Sequence, residues 1–387
     1  MKAAIILSGC SVGLAIARSL GRYNVPVTVA FYDNKDIGYV SKFVSKSFCT
    51  PHPEKNEEDF IDMLVTYGKK TEGGVLFPAN DSTLTAVSKN KSLLESYYSV
   101  ACPSWEVTKK FIDKTYTYAL AESIGVPAPR SLTPSCLAQA VEFGKVIDFP
   151  CLVKPCRSHI YFEHFKKKMV KVRNIDELAI AYKEALKANI SVMIQEYIPG
   201  EDSGGVNYNS YFMDNRPIIE FTAQKERLAP PDTGLPRVVK SKHIPEVINP
   251  GRKIVTAFKF NGYSCTEFKK DIRDNIYKLM EVNGRHNRSG LLAVKCGINF
   301  PWIEYQGFVN QNWSPEYTES INFDDNVYWI DEILDLVYFL KSIKQLKINL
   351  LDYAKPYYNK HIFSVFDWGD VKPFLKRIGN GISRIKF

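Results

Sequence analysis

The chain opens with an apolar run, AAIIL, bounded by Gly9, and the stretch VGLAIARSLGR beyond it carries apolar residues at helical spacing. VPVTVAFY reads as a second buried strand. GVLFPAND and YSVACPS read as further short strands, each followed by a helix-like stretch. Strand alternating with helix over the first hundred residues predicts a parallel α/β sheet. From Trp105 the pattern turns helical through EVTKKFIDKTYTYALAESIG, and VPAPRS ends that run. FPCLVKPC predicts a strand carrying one lysine. MVKVRNIDELAIAYKEALK predicts a strand leading into a helix capped by Asn174, and VMIQEYIPGED a strand that leaves into a turn. YNSYFMDNRPIIEFTAQK predicts a hairpin turning at Asp214–Asn215, and YSCTEFKKDIRDNIYKLMEVNGR a second turning near Asp274–Asn275. RSGLLAVKCGINFPWIEYQGF is helical in pattern. Neither a repeat nor a low-complexity linker interrupts the chain.

The second hairpin carries unusual chemistry. Glu281, Asn283 and Arg285 alternate, so a strand aims all three at one face while Val282 and Gly284 face the other way. Glu267 and Glu281 flank the turn symmetrically and are predicted to lie opposite each other. Two adjacent carboxylates repel unless something positive lies between them. With the amide oxygen of Asn283 they make a set of hard donors suited to Mg²⁺, and Arg285 at the end of the row would meet a phosphate. A solvated hairpin face with a salt bridge is the plainer alternative for any one of these residues.

Composition sets the frame. The 387 residues, 45% hydrophobic and 24% charged, describe an ordinary globular chain of two or three domains. No apolar run is long enough to span a membrane, and LLAVKCGINFPWI is interrupted by Lys295. The N-terminus starts like a signal peptide, but Arg18 and Arg22 follow directly and the apolar stretch is short, so a cytoplasmic location is expected. Eight cysteines scattered without a CxxC pair suggest neither a zinc site nor a disulfide framework, and neither Cys10 nor Cys156 carries a signal for nucleophilic chemistry. The net charge is +9. Residues 355–387 hold seven basic residues against Asp367 and Asp370, hence five of the nine charges. Such a tail suits peripheral contact with a membrane surface or an anionic substrate, or is a solvated face. No nucleic-acid partner is expected. SGCSVG invites comparison with a dinucleotide fingerprint, but Ser11 stands where the second glycine belongs. A nicotinamide oxidoreductase built on this segment remains an alternative.

TEFKKD…KLMEVNGRHNRS resembles the magnesium-binding strands of the ATP-grasp superfamily, where Glu or Gln on one strand precedes Glu-x-Asn-x-Arg on the next. The rest of that pattern occurs in order, from about Trp105 to Phe308. FIDKTYTYALAESIGVPAPRS resembles the helix entering the grasp domain, with Lys114 as the first phosphate-contacting residue. DFPCLVKP resembles the strand of the second nucleotide lysine, Lys154. VMIQEYIPGED resembles the adenine hinge. There Glu196 would accept from the base amine, the backbone near Tyr197 and Ile198 would pair with the ring edge, and Asp202, with Glu201 as runner-up, would suit the ribose. The resemblance implies an α/β fold with α+β grasp domains. A Rossmann-like pre-ATP-grasp domain (1–103) would precede an ATP-grasp domain (104–310) whose subdomains, 104–190 and 191–310, clasp the nucleotide. Residues 311–387 would form a partly helical basic extension.

The implied activity is that of an ATP-dependent carboxylate–amine ligase working through an acyl phosphate. Glu267, Glu281 and Asn283 would hold Mg²⁺, two ions in the expected form, with Mn²⁺ as substitute. Lys114, Lys154, Lys225 and Arg285 would compensate the remaining charge, and Arg227 and Arg237 would hold a substrate carboxylate. Partners would be a small-molecule or cell-envelope-precursor carboxylate and an amine, an amino acid in the expected form. One departure stands out. The second lysine is followed by KPCRSHIYFEHFKKKMVKV, which has no glycine, so Arg157, Ser158, His159 and the run Lys166–Lys168 would replace a glycine-rich lid. That version resembles the carboxylate–amine ligase branch that includes D-aspartate ligase. A catalytically idle ATP-grasp binding module is the other alternative.

Overall fold

The computed structural model describes the chain except residues 157–160, 162–163, 166, 168, 311–321, 344–348 and 383–387. Its first unit is a parallel sheet. Strand β1 (Ala4–Leu7) is apolar and buried throughout, as a central parallel strand must be, and pairs with β2 (Val27–Phe31) and β4 (Gly74–Pro78). The edges are β3 (Val44–Cys49) and β5 (Tyr98–Val100), giving the order β3-β2-β1-β4-β5. The polar pattern VSKSFC hid β3 from the sequence reading, because an edge strand buries little. Helices α1 (Ser11–Gly21), α2 (Glu57–Lys70), α3 (Asp81–Lys89) and α4 (Lys91–Leu94) connect the strands. Asn80 and Thr83 form a reciprocal cap at the start of α3.

The helical run from Trp105 is two helices, α5 (Trp105–Ile112) and α6 (Lys114–Ser123). Asp113 takes an extended conformation between them and accepts from Thr115 N at 3.1 Å, ending one helix and capping the next. Phe111 on α5 packs against Phe258 and Phe260 and joins the core of the parallel unit to that of the large sheet. Gly284 is small for the same reason: a Cβ there would lie 2.4 Å from Phe111.

A four-stranded antiparallel sheet follows, in the order β6-β9-β7-β8, from β6 (Ser131–Leu132), β7 (Cys151–Pro155), β8 (Val170–Val172) and β9 (Val192–Glu196). Helices α7 (Leu137–Ile147) and α8 (Ile175–Lys187) cover one face through Ala140, Leu178 and Tyr182, and Asn174 caps α8 as expected.

The large sheet has seven strands. β10 (Gly205–Met213) and β11 (Arg216–Ala229) form the first predicted hairpin, with Asp214 and Asn215 both left-handed at its turn. After β12 (Leu235–Ser241) and helix α9 (Ile248–Ala257), β13 (Gly262–Lys270) and β14 (Tyr277–Asn283) form the second, with Asn275 left-handed. The helical pattern that follows is again two helices, α10 (Gly290–Lys295) and α11 (Phe300–Val309), interrupted by Gly297 at φ +94°. α9 packs on one face of the sheet through Ile254 and Val255, with Phe258 just past its end, and α10 and α11 pack on the other through Leu291, Leu292 and Phe300.

The stretch expected as a C-terminal extension contributes to this sheet. β15 (Tyr328–Ile330) pairs with β12, and, beyond helices α12 (Glu332–Ile343) and α13 (Leu350–Tyr358), β16 (His361–Phe363) pairs with β15. The strand order is β14-β13-β10-β11-β12-β15-β16. Strands of three residues are too short to show a period. Helix α14 (Lys372–Ile382) returns to the first unit. Just before it, fully buried Asp370 accepts from Arg18 Nε at 3.0 Å, Ser41 Oγ at 2.6 Å and Lys42 N at 2.9 Å. No helix among the described residues is long and apolar enough to cross a membrane.

Removing one partner of a buried ion pair leaves the other charge uncompensated. Asp370→Ala is expected to destabilise the protein by about 3–5 kcal/mol. Denaturant unfolding of a purified variant checks this, and a midpoint like the wild type's would refute it.

Candidate active site

The second hairpin delivers the predicted register. Glu267 of β13 pairs directly with Glu281 of β14, and a bulge just beyond, toward the turn, leaves that alignment intact. Each carboxylate carries its own lysine. Lys225, from β11, forms an ion pair with Glu267, and Lys114, the first residue of α6, meets Glu281 Oε1 at 2.6 Å. Burial works against both ammonium charges, but the facing carboxylates outweigh it and hold both lysine pKa values above the ordinary one. Asn283 donates to Glu267 Oε1 at 3.4 Å and accepts from Arg285 Nη2 at 3.4 Å. Arg285 in turn grips Asp81, the first residue of α3, through two bonds of 2.7 and 3.0 Å. Burial opposes the Arg285 charge, and Asp81 outweighs it, so its pKa is raised.

His286, next in the chain, turns away. It stacks on Tyr263 and bonds Glu304 at 2.8 Å, anchoring the loop inside the core. The rest of the sheet face was not singled out from sequence. Asn207 of β10 pairs across from Glu267, and its Oδ1 is buried without a hydrogen-bond partner.

Lys154 on β7 reaches the same region through Tyr118, whose hydroxyl donates to Met280 O of β14 at 2.7 Å. Its amine donates to Gln195 Oε1 at 2.9 Å and lies 3.5 Å from the hydroxyl of Tyr118, one turn along α6 from Lys114. Gln195 Nε2 is also buried and unpartnered. Strand alternation therefore puts Gln195, not Glu196, on the face of Lys154. Glu196 is the residue expected at the base amine. It shares a face with Val192 and Ile194, against α7 and α8, and its carboxylate is held by Arg130 and by Arg273 at 2.7 Å. Burial resists its ionisation, but Arg130 and Arg273 prevail and keep its pKa below the ordinary glutamate value. Arg273 sits at the tip of the second hairpin, so this pair ties the small sheet to the large one.

A second tie lies nearby. Tyr197 donates to Asp232 at 2.8 Å, and Lys171 and Lys269 both pair with that carboxylate. Asp202, expected at a ribose, accepts the backbone N–H groups of Leu228 and Asp232 at 2.8 and 2.7 Å. Ile198 is buried and Glu201 exposed. Arg227 is engaged by Asp335 at 2.5 Å and by Tyr353 O, whereas Arg237 stands 3.9 Å from Asp331. Arg157, Ser158, His159, Lys166 and Lys168 lie outside the described residues; Tyr161 and Phe165 pack together at 4.5 Å.

The donor set fits the expected ion. Two carboxylates and an amide oxygen share one strand face, the unpartnered oxygen of Asn207 lies beside them, and all are hard donors of the kind Mg²⁺ takes. The set holds two carboxylates and not three, and the described residues hold no group of three or more His, Cys, Asp or Glu that could hold a metal ion.

No family model matches the chain. D-aspartate ligase of Enterococcus faecium (strain Aus0004) is 24% identical over 250 residues, 60% of this chain and 58% of that protein. D-alanine–D-alanine ligase of Pseudomonas entomophila (strain L48) is 32% identical over 95 residues, covering 24% and 27% of the two chains. The chain thus spans little more than half the length of the first of these relatives. Among solved structures, the biotin carboxylase–βγ-ATP complex of Campylobacter jejuni superposes with TM-score 0.65 at 16% identity, over 85% of this chain and 74% of that one. The L-amino acid ligase of Bacillus licheniformis gives TM-score 0.65 at 16% identity, over 82% and 77%. At these identities the structural likeness shows the fold.

Glu196→Gln separates clasp from base recognition. Because the folded pKa is depressed, the carboxylate's contribution is full above the ordinary glutamate value and is lost as pH falls through the folded one. The variant is expected to be about 1–3 kcal/mol less stable at neutral pH, with the gap closing in acid, and to keep the wild-type discrimination between ATP and GTP. Lost discrimination at unchanged stability would assign Glu196 the adenine-acceptor role instead.

Proposed function

We propose that the chain is a member of the ATP-grasp superfamily, of its D-aspartate ligase-like branch, and from that premise that it is an ATP-dependent carboxylate–amine ligase. In this reading ATP phosphorylates a carboxylate, an amine displaces phosphate from the acyl phosphate, and an amide forms with release of ADP and phosphate. The observation that carries the reading is the pair of cross-strand glutamates, each held by a lysine from another element. Phosphoryl transfer depends on positioning and charge compensation and needs no covalent protein group.

Glu267, Glu281 and Asn283 are the residues that would hold Mg²⁺, one ion or two, which when bound supplies charge compensation across the phosphate oxygens. Lys114 and Lys154 bind phosphates from the side of α6 and β7. Lys225 and Arg285 neutralise the transferred group, and Arg285 exchanges its bidentate hold on Asp81 for one on the phosphoryl oxygens. The backbone at Tyr197–Ile198 pairs with the adenine edge and Asp202 approaches the ribose. Arg157, whose guanidinium fork can chelate a phosphate or carboxylate, is the remaining candidate for a catalytic role. The acceptor is an amino acid or similar amine. The acid is a small molecule or a cell-envelope precursor, which would place the enzyme in wall or surface-polysaccharide synthesis.

An ADP-release screen of amino acids against carboxylates, with ATP and Mg²⁺, tests the activity. Loss of one metal-held charge is worth several kcal/mol in such a site, so Glu281→Gln is expected to slow turnover roughly a thousandfold while the fold persists. A folded Glu281→Gln protein with near-normal ADP release would overturn the assignment.

A further inference from the structure

Beyond the metal-binding residues the large sheet carries a second concentration of charge. Three guanidinium groups converge on Asp331, just past β15. Arg288 donates to Oδ2 at 2.7 Å, Arg377 to Oδ1 at 2.5 Å, and Arg237 Nη1 stands 3.9 Å from Oδ2. They come from the loop after β14, from α14 and from β12. Of the neighbouring carboxylates, Asp335 accepts from Arg227 and Tyr357 through Oδ2, while its Oδ1 is buried without a partner, and Glu332 accepts backbone N–H groups of Ser364, Val365 and Phe366. The three guanidinium groups therefore converge on a single carboxylate, fully buried Asp331, with one oxygen of Asp335 as the remaining acceptor nearby. Among the described residues four nitrogens of this cluster are buried without a hydrogen-bond partner: Arg237 Nε and Nη1, Arg288 Nε and Arg377 Nη1. Folded proteins rarely leave buried donors unmet, and a cluster that does so is built for an acceptor it does not itself contain.

The cluster lies on the reactive face. Arg237 and Val239 share a face of β12, and Val239 pairs across with Lys225. One to two strand spacings, about 5–10 Å, separate the two positions. Arg288 follows Arg285 by three residues and keeps 31% of its side chain exposed, against 12% for Arg237 and 16% for Arg377, so the cluster opens at Arg288. Burial, aided by repulsion from Arg288 and Arg377, pushes the Arg237 pKa below its ordinary value despite Asp331 and Asp335.

We propose that Arg237, Arg288 and Arg377 form a receptor for an oxyanion of the substrate, a second carboxylate or a phosphate about 5–10 Å from the carboxyl that is activated, and that α14 completes it. What this says of the substrate rests on the ligase reading; the receptor itself rests on the cluster.

The first measurement needs no turnover. The full chain is melted without ATP in sodium malonate or sodium phosphate, against sodium chloride at equal ionic strength. Malonate or phosphate should raise the melting temperature of the wild type and not of Arg377→Gln; Arg288→Gln, at the more open arm, serves if the first variant does not fold. The more effective anion identifies the chemical source. Equal stabilisation of wild type and folded variants, or none in the wild type, overturns the receptor. The second measurement is ADP release with acids that carry or lack a second oxyanion. Arg377→Gln should raise KM for the former about tenfold or more and leave KM for ATP unchanged. Equal use of monocarboxylic acids by the wild type counts against the proposal. Anion stabilisation without ADP release from any acid would refute the ligase reading and leave the receptor standing.

Discussion

Charge taken out of water must be paired, and that constraint organises this molecule more than any single hydrophobic contact. Lys114 with Glu281, Lys225 with Glu267, Arg285 with Asp81 and Arg18 with Asp370 all join elements far apart in the chain. Each pair fixes a relation that apolar packing alone leaves loose. Asp81 brings the parallel unit to the end of β14, Lys114 brings α6 to the hairpin, and Asp370 brings the last helix back to the first. Apolar cores fill the space between these pins, and one core runs without a break from the parallel sheet through Phe111 into the large sheet.

The same pairing prepares the face for a polyanionic ligand. Glutamates held by lysines neither repel one another nor collapse onto foreign partners, and the lysines are kept protonated by the groups they hold. A nucleotide with its ions exchanges one set of charge partners for another without requiring new side chains to be buried. The two ties between the sheets, through Glu196 with Arg273 and through Asp232 with Lys171, hold the small sheet against the large one.

Much of this was legible in the sequence because periodicity and spacing are local. The cross-strand meeting of Glu267 and Glu281, the turns at Asp214–Asn215 and near Asn275, and the Asn174 cap follow from alternation and turn chemistry. What escaped depends on facts that neighbours in sequence do not carry. Whether Gln195 or Glu196 faces Lys154 turns on the phase of β9 against α7 and α8, and a strand buried on both faces shows no alternation to set that phase. Asp113 breaks a helix whose apolar period runs straight through it. β15 and β16 are too short to have a pattern, so Asp331 and Arg377 could not be placed beside Arg288 from sequence.

The Arg18–Asp370 pair has a bearing on how the chain is made. The partners are 352 positions apart. At translation rates of about 5–20 residues per second, tens of seconds pass between the emergence of one and the other. Throughout that interval α1 must either keep Arg18 in water or bury it without a counter-ion. The unit synthesised first is therefore the one finished last, and its closing contact has the long sequence separation that slows folding. A nascent chain of this protein depends on its own late residues, and until they arrive its first helix remains the place where a chaperone has most to shelter.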